Sequence, residues 1–191
     1  MAQTQLTKPI SLIAIGGSSG SFEALTKILL NLKPDFSIPL IMILHRNNAD
    51  SGLAAVLSIR TNLTVKEAEE KESIAKAHLY LAPPDYHLLL ENDRSFSLDA
   101  SEKINYSRPS IDVTFESAAN VYMEELLCVI LSGANSDGTK GGLYAKNTGS
   151  KVIVQNPLEA GVAYMPQHAI NAISTDGIYS IEEIAMYLND L

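Results

Sequence analysis

The architecture of this chain follows from the stretch Ser11-Leu12-Ile13-Ala14-Ile15-Gly16-Gly17-Ser18-Ser19-Gly20, an apolar run of strand length that ends in glycines and serines. The next segment, Phe22–Leu32, carries its apolar residues at helical spacing. A buried strand that passes through a tight glycine-rich turn straight into a helix is typical of a parallel α/β sheet.

The same alternation of strand and helix continues along the chain. It predicts strands at Pro39–Leu44, Leu126–Leu131 and Lys151–Gln155, and helices at Leu53–Arg60, from Ser110 to about Glu125, at Thr139–Asn147, after Pro166 and at Ile181–Leu191. Apolar strands of this kind are buried on both faces. We therefore expect a three-layer, mostly parallel, doubly wound α/β sheet, and a single domain over residues 1–191 because no linker divides the chain.

The middle of the chain has a different character. Residues 63–98 read as four short strands, and turn signals at Pro83-Pro84-Asp85 and Glu91-Asn92-Asp93 separate the last three. This pattern predicts an antiparallel hairpin region near residues 63–98, at or near an edge of the sheet.

Composition excludes several classes of function. The 191 residues are 46% hydrophobic and 19% charged, and the net charge is −8 with no local lysine or arginine cluster, so nucleic acid is not an expected partner. No signal-peptide stretch and no apolar run of ~20 residues is present, which predicts a cytoplasmic protein that is not embedded in a membrane. No residues have calcium-loop or zinc-site spacing, so we expect neither metal nor cofactor. Cys128, within an apolar run, is expected in the core.

In a parallel α/β sheet, ligands bind beyond the carboxyl ends of the strands. Gly16-x-Ser18-x-Gly20 fits the nucleophile elbow of serine hydrolases in its required strand–turn–helix context. The alternative is a phosphate-binding loop, although the sequence matches neither of the usual phosphate fingerprints. Ser18 is therefore a candidate nucleophile, with the N–H of Ser19 as an oxyanion donor.

Two further strand ends carry the partners that a serine nucleophile needs. The second strand runs directly into His45, and consecutive βα units usually lie side by side, so His45 is the candidate base. Asp137 follows Leu126–Leu131, where a carboxylate can orient the histidine and stabilise the imidazolium. Taken alone, Asp137 is better explained as a helix cap and His45 as a surface histidine; the case for both rests on their positions at strand ends near Ser18.

The set of motifs resembles the catalytic domain of the chemotaxis receptor methylesterases, the CheB family. The resemblance covers about residues 12–173 and rests on Ile15-Gly16-Gly17-Ser18-Ser19-Gly20, His45, Tyr80-Leu81-Ala82-Pro83-Pro84-Asp85-Tyr86-His87, Arg108-Pro109-Ser110-Ile111-Asp112, Leu131-Ser132-Gly133, Ser136-Asp137-Gly138 and Met165-Pro166.

The resemblance implies a serine esterase that hydrolyses γ-glutamyl methyl esters on chemoreceptor helices, or on a similar coiled-coil sensory protein, and that also deamidates glutamine. The family's triad falls on Ser18, His45 and Asp137, and its loop adds the N–H of Ala134 as a second oxyanion donor. Arg108 and Met165 are candidates for positioning the substrate, although an ordinary surface salt bridge explains Arg108 about as well. A monomer is expected, because no apolar stripe is left over for an interface.

The chain departs from the family pattern at several positions. Leu44 stands where glutamine is common, Arg46 follows the histidine, and Ala134-Asn135-Ser136 replaces a frequent Met-Gly-Asn, which affects substrate positioning more than chemistry. Only about ten residues precede the first strand, so we expect no phosphorylation-regulated receiver domain. The alternative hypothesis is a non-catalytic adaptor of the same fold, or a protein that senses an anion at residues 16–20.

The remaining histidines are weaker candidates. His168 is a rival base, although it is expected on a helix. His87 alternates with apolar neighbours and is expected to be structural. Asp112 lies in the first turn of a predicted helix, where a negative charge is stabilising without any function.

Overall fold

A seven-stranded parallel sheet forms the centre of the computed structural model, which describes residues 8–45 and 52–191. Its strands are β1 (Leu12–Gly17), β2 (Leu40–Leu44), β3 (Thr64–Glu67), β4 (His78–Leu81), β7 (Leu126–Ile130), β8 (Lys151–Gln155) and β9 (Gly177–Tyr179). They lie in the order β3-β4-β2-β1-β7-β8-β9, and every pairing is parallel.

Within the described residues, six helices cover the two faces of the sheet. They are α1 (Ser21–Leu30), α2 (Leu53–Ser58), α3 (Ile111–Tyr122), α4 (Thr139–Asn147), α5 (Tyr164–Ala172) and α6 (Ile181–Asn189). Alternate residues of β1 enter different cores: Leu12 and Ala14 pack with residues of α3, α4 and α5, whereas Ile13 and Ile15 pack with residues of α1, α2 and α6. The predicted three-layer, doubly wound fold is confirmed.

The middle of the chain divides between two sheets. β3 and β4 are parallel members of the main sheet, so the prediction of hairpin pairing is wrong for them. The antiparallel hairpin is formed by β5 (His87–Leu90) and β6 (Phe96–Asp99), which make a separate two-stranded sheet rather than an edge of the main one. This hairpin packs on α3, where the Thr114 hydroxyl donates to the Leu88 carbonyl at 2.8 Å.

Several helix ends differ from the sequence expectation. α3 begins after Ser110, as predicted, and the Ser110 side chain accepts from the Val113 N–H. It ends at Tyr122, before a 3-10 turn at Met123–Glu125, because Met123 has φ 50° and leaves helical geometry. α5 begins at Tyr164, so that Pro166 lies in the first turn, where no helical hydrogen bond is lost. No helix in the described ranges is long and apolar enough to cross a membrane.

The three central strands bring their carboxyl ends together. β1 lies between β2 and β7, and the loops that follow the strands are joined by backbone hydrogen bonds. The His45 N–H donates to the Gly17 carbonyl at 3.4 Å, and the Ser18 N–H donates to the Ser132 carbonyl at 2.9 Å. One edge of the sheet therefore carries all three residues of the predicted triad.

Candidate active site

Ser18 lies at the turn between β1 and α1. Its carbonyl accepts from the Ser21 N–H at 3.0 Å and from the Ser21 hydroxyl at 2.6 Å, which fixes the backbone of the turn. Gly20 has φ +81°, and a Cβ there would stand 2.6 Å from the Ser132 hydroxyl oxygen. The turn thus requires glycine for both conformation and space. The Ser18 side chain is half-buried, and its hydroxyl makes no hydrogen bond within the described ranges.

His45 follows β2 and faces Asp137. The His45 Nε2 lies 2.8 Å from the Asp137 Oδ2, and 14% of the His45 side chain is exposed. The other ring nitrogen, Nδ1, lies 3.3 Å from the Asn135 Nδ2. The ring is therefore held on both nitrogens by residues of one loop, the segment after β7.

The tautomer of His45 follows from these contacts. The Asp137 N–H donates to the Asn135 Oδ1 at 3.1 Å. Since a backbone N–H only donates, the carboxamide oxygen faces Asp137 and the amide NH2 faces His45. The His45 Nδ1 must then accept, so in the neutral ring the proton is on Nε2 and is donated to Asp137.

The Asp137 carboxylate is buried at the amino terminus of α3. Besides His45, it accepts from the Ile111 N–H at 2.7 Å, the Asp112 N–H and the Ser110 hydroxyl at 3.0 Å each, and the Gly138 N–H at 3.1 Å. Burial raises the pKa of Asp137, but the hydrogen bonds from His45, Asp112 and Ile111 outweigh burial and lower the pKa below its ordinary value. Asp137 is thus not the cap of the helix that follows it, α4, whose N-cap residue is Gly138.

A second carboxylate, Asp112, lies beside Asp137. Asp112 is 6% exposed, and its Oδ1 accepts from the Gly141 N–H of α4 at 2.8 Å. Burial and, after it, the charge of Asp137 raise the pKa of Asp112 to about 6, although the N–H groups of Gly141 and Gly138 act in the opposite direction. The sequence pattern identified Asp112 only as a first-turn charge and did not reveal its contact with α4.

The two candidate oxyanion donors lie in neighbouring loops. Ser19 and Ala134 are both exposed, and neither backbone N–H meets an acceptor in the part of the chain that the structure describes. The Ser132 hydroxyl joins these loops, because it donates to the Ser19 carbonyl at 2.6 Å and accepts from the Val162 N–H at 2.8 Å. The Ser132 N–H donates to the buried Gln155 Oε1 at 2.8 Å. From the sequence, Ser132 was noted only within a family motif and Gln155 only as a strand end, and neither was assigned a role.

The two candidates for substrate positioning make other contacts. The Arg108 Nη1 donates to the carbonyls of Ala100 and Ser101 at 2.8 and 2.6 Å, so the guanidinium braces its own loop. Met165 is fully buried, and a Cβ on Gly133 would stand 2.5 Å from its terminal methyl group. Met165 therefore packs against the loop after β7 from the buried side. Arg46 lies outside the described residues.

The other polar candidates are accounted for by local contacts. His87 is 1% exposed, accepts from the Ser110 N–H at Nδ1 and lies 3.0 Å from the Glu102 carbonyl at Nε2. His168 is exposed on α5 and contacts the Thr139 hydroxyl at 3.0 Å. Cys128 is fully buried, as expected, and burial raises the pKa of its thiol.

Comparison with known proteins gives one consistent result. The family model described as CheB methylesterase matches residues 13–188. A Leptospira interrogans relative, provisionally named a protein-glutamate methylesterase/protein-glutamine glutaminase, is 46% identical over 174 residues, which are 91% of this chain and 90% of the relative. The Thermotoga maritima protein of that name is 34% identical over all of this chain and 58% of its own length. The crystal structure of the Thermotoga maritima CheB methylesterase catalytic domain has a TM-score of 0.90, with 34% identity, over 96% of this chain and 99% of that one.

Proposed function

Because this chain belongs to the CheB methylesterase family, we propose that it is a serine esterase acting on γ-glutamyl methyl esters of a chemoreceptor or a similar coiled-coil sensory protein in the cytoplasm. Deamidation of glutamine is the same attack on an acyl carbon with ammonia as the leaving group. The observation that carries the proposal is the 2.8 Å contact between His45 and Asp137, beside the elbow that presents Ser18.

In the first half of the reaction, the Ser18 oxygen attacks the ester carbonyl carbon. The hydroxyl proton passes to the His45 Nδ1, the nitrogen that carries the lone pair in the resting tautomer. Collapse of the tetrahedral intermediate breaks the bond to the methoxy group, which leaves as methanol with the proton from His45. The product of this half is a glutamyl ester of Ser18.

In the second half, water replaces Ser18. His45 takes a proton from the water, the resulting oxygen nucleophile attacks the acyl carbon, and the proton returns to the Ser18 oxygen as it leaves. The receptor side chain is released as a glutamate. Asp137 stabilises the imidazolium in both halves through its bond to Nε2.

The negative charge on the carbonyl oxygen needs donors that are already in place. The proposed donors are the N–H groups of Ser19 and Ala134, which have no acceptor among the described residues, and the Ser132 hydroxyl holds their loops together. In this proposal Arg108 and Met165 act on substrate position indirectly, through the loops that they support.

The test is methanol release from receptor membranes that carry labelled glutamyl methyl esters. Ser18→Ala should abolish release, whereas Ser136→Ala is the matched control, because it removes a half-buried hydroxyl that makes no hydrogen bond within the described ranges. Equal release by wild type and Ser18→Ala would show that Ser18 is not the nucleophile.

A second readout separates a wrong substrate from a wrong chemistry. A fluorophosphonate probe labels an activated serine without any receptor. Labelling of Ser18 without methanol release would indicate another acyl substrate. If neither labelling nor methanol release is observed, the adaptor hypothesis is favoured.

A further inference from the structure

Asn135 contacts the His45 Nδ1, the ring nitrogen that accepts the Ser18 proton in the proposed reaction. Its amide NH2 lies 3.3 Å from the His45 Nδ1, while its carbonyl oxygen is held at 3.1 Å by the Asp137 N–H. The residue is half-buried and lies in the loop between β7 and α4. One side chain thus bridges the base and the backbone of the acid.

The lone pair on Nδ1 has one direction in the plane of the ring. It can accept one well-aligned hydrogen bond, from the Asn135 amide or from the Ser18 hydroxyl. The Ser18 hydroxyl has no partner among the described residues, whereas the Asn135 amide is aimed at Nδ1 by its own anchor on Asp137. Proton transfer from Ser18 therefore requires Asn135 to give up its contact with the ring.

We propose that Asn135 is a positioning residue that restrains the esterase, by holding in the resting enzyme the His45 lone pair that must receive the Ser18 proton. The proposal rests on the proposed function, since it assumes that Ser18 and His45 are the nucleophile and base. Asn135 acts through His45 and touches no reacting carbon. Asn135 also holds His45 in the tautomer that can accept the Ser18 proton. Only the contact between Asn135 and the His45 Nδ1 therefore has to break before attack.

The competition predicts opposite effects for two substitutions. Asn135→Ala removes the competing donor and should raise kcat about threefold, the factor expected for one weak neutral hydrogen bond, with little change in KM. Asn135→Asp places a carboxylate oxygen against Nδ1, which favours a proton on that nitrogen and removes the acceptor, so activity should fall below that of the wild type. A residue that merely supported the loop would lower activity in both variants.

The assay is the rate of fluorophosphonate labelling of Ser18, followed by methanol release from labelled receptor membranes. Ser136→Ala is the matched control, because Ser136 is the half-buried neighbour in the same loop and its side chain makes no hydrogen bond in the described ranges. The wild-type rate should be preserved in this control. An Asn135→Ala rate that is unchanged or lower overturns the proposal.

The design distinguishes failure of this proposal from failure of the proposed function. If wild-type Ser18 is not labelled at all, the esterase chemistry is wrong. If it is labelled but Asn135→Ala is no faster, only the restraint is wrong.

The tautomer of His45 can be measured in the wild-type protein, so this test does not depend on whether a variant folds. In the neutral form of the ring, the ¹⁵N chemical shifts of His45 should place the proton on Nε2 and show an accepting Nδ1. A neutral ring with its proton on Nδ1 would contradict the contact with the Asn135 amide and overturn the proposal.

Discussion

Replacing Asp112 by asparagine should stabilise the protein, and the gain should depend on pH. Asp112 is 6% exposed and lies beside the charged Asp137, so its ionised form is disfavoured in the folded protein. Asparagine has the same shape as the protonated acid and is neutral at every pH. Its carbonyl oxygen can accept from the Gly141 N–H as the Asp112 Oδ1 does at 2.8 Å.

The magnitude follows from the shift in the pKa. Folding raises the pKa of Asp112 from 3.8 to about 6. At roughly 1.4 kcal/mol per pKa unit, the wild type carries a penalty of up to about 3 kcal/mol when this carboxyl is fully ionised.

The sign follows from proton binding. Between about pH 4 and pH 6 the folded protein holds the Asp112 proton more tightly than the unfolded chain, so this group's contribution to stability falls as the pH rises through that window. Below the window, both variants are neutral at this position and the difference should vanish. Asp137, with its pKa shifted in the opposite direction, is present in both proteins and largely cancels.

The assay is urea unfolding of wild type and Asp112→Asn at a series of pH values across and above the window. The free energy of unfolding of the variant should exceed that of the wild type by about 3 kcal/mol at about pH 8, and the excess should shrink on acidification. A difference independent of pH, or a less stable variant at about pH 8, would refute the reasoning.

Three other predictions test the remaining parts of the site and the core. Asp137→Asn should lower kcat by about 10³- to 10⁴-fold in the methanol-release assay, since the His45 tautomer and imidazolium lose their partner; activity within tenfold of wild type would remove Asp137 from the triad. Gly20→Ala should lower the free energy of unfolding by about 1–2 kcal/mol, because residue 20 has a positive φ and the new Cβ would clash with Ser132. Gly52→Ala is the control, because nothing lies within 4 Å of a Cβ at that position, and its stability should be unchanged. Equal melting temperatures for the two variants would contradict this prediction. Cys128 should react with a thiol reagent only in denaturant, and rapid reaction of the native protein would show that the core is open at this position.

The parts of the structure that the sequence predicts well are those with a local signal. β1, β2 and β7 are continuous apolar runs because helices cover both faces, and each run ends at a polar loop. The rule that consecutive βα units lie side by side then placed His45 next to Ser18, as the hydrogen bond from the His45 N–H to Gly17 shows. The positions of Ser18, His45 and Asp137 at one sheet edge were therefore predictable.

The parts that were missed depend on partners distant in the chain. The short run Thr64–Glu67 has the same pattern whether it pairs parallel or antiparallel, and the connection to His78 contains no helix that would have indicated a parallel crossover. β9 has only three residues, too few for a periodic signal.

The contacts around Asp137 were missed for the same reason. Ser110 and Asp112 were identified as local helix features, but both contact a carboxylate that lies more than 20 residues further along the chain. No local pattern encodes that approach, which arises when α3 and α4 pack against one another on the same face of the sheet.

The two buried carboxylates at this junction have opposite environments, and this difference decides where protons go. Asp137 accepts from the amino terminus of α3 and from His45, which lowers its pKa, whereas the pKa of Asp112 is raised to about 6. On acidification Asp112 therefore takes a proton before Asp137. In the proposed reaction, the proton that leaves Ser18 stays on the imidazole, because the lowered pKa of Asp137 keeps its carboxylate an anion. The proton thus remains available for the leaving methoxy group, which is what an esterase base must ensure.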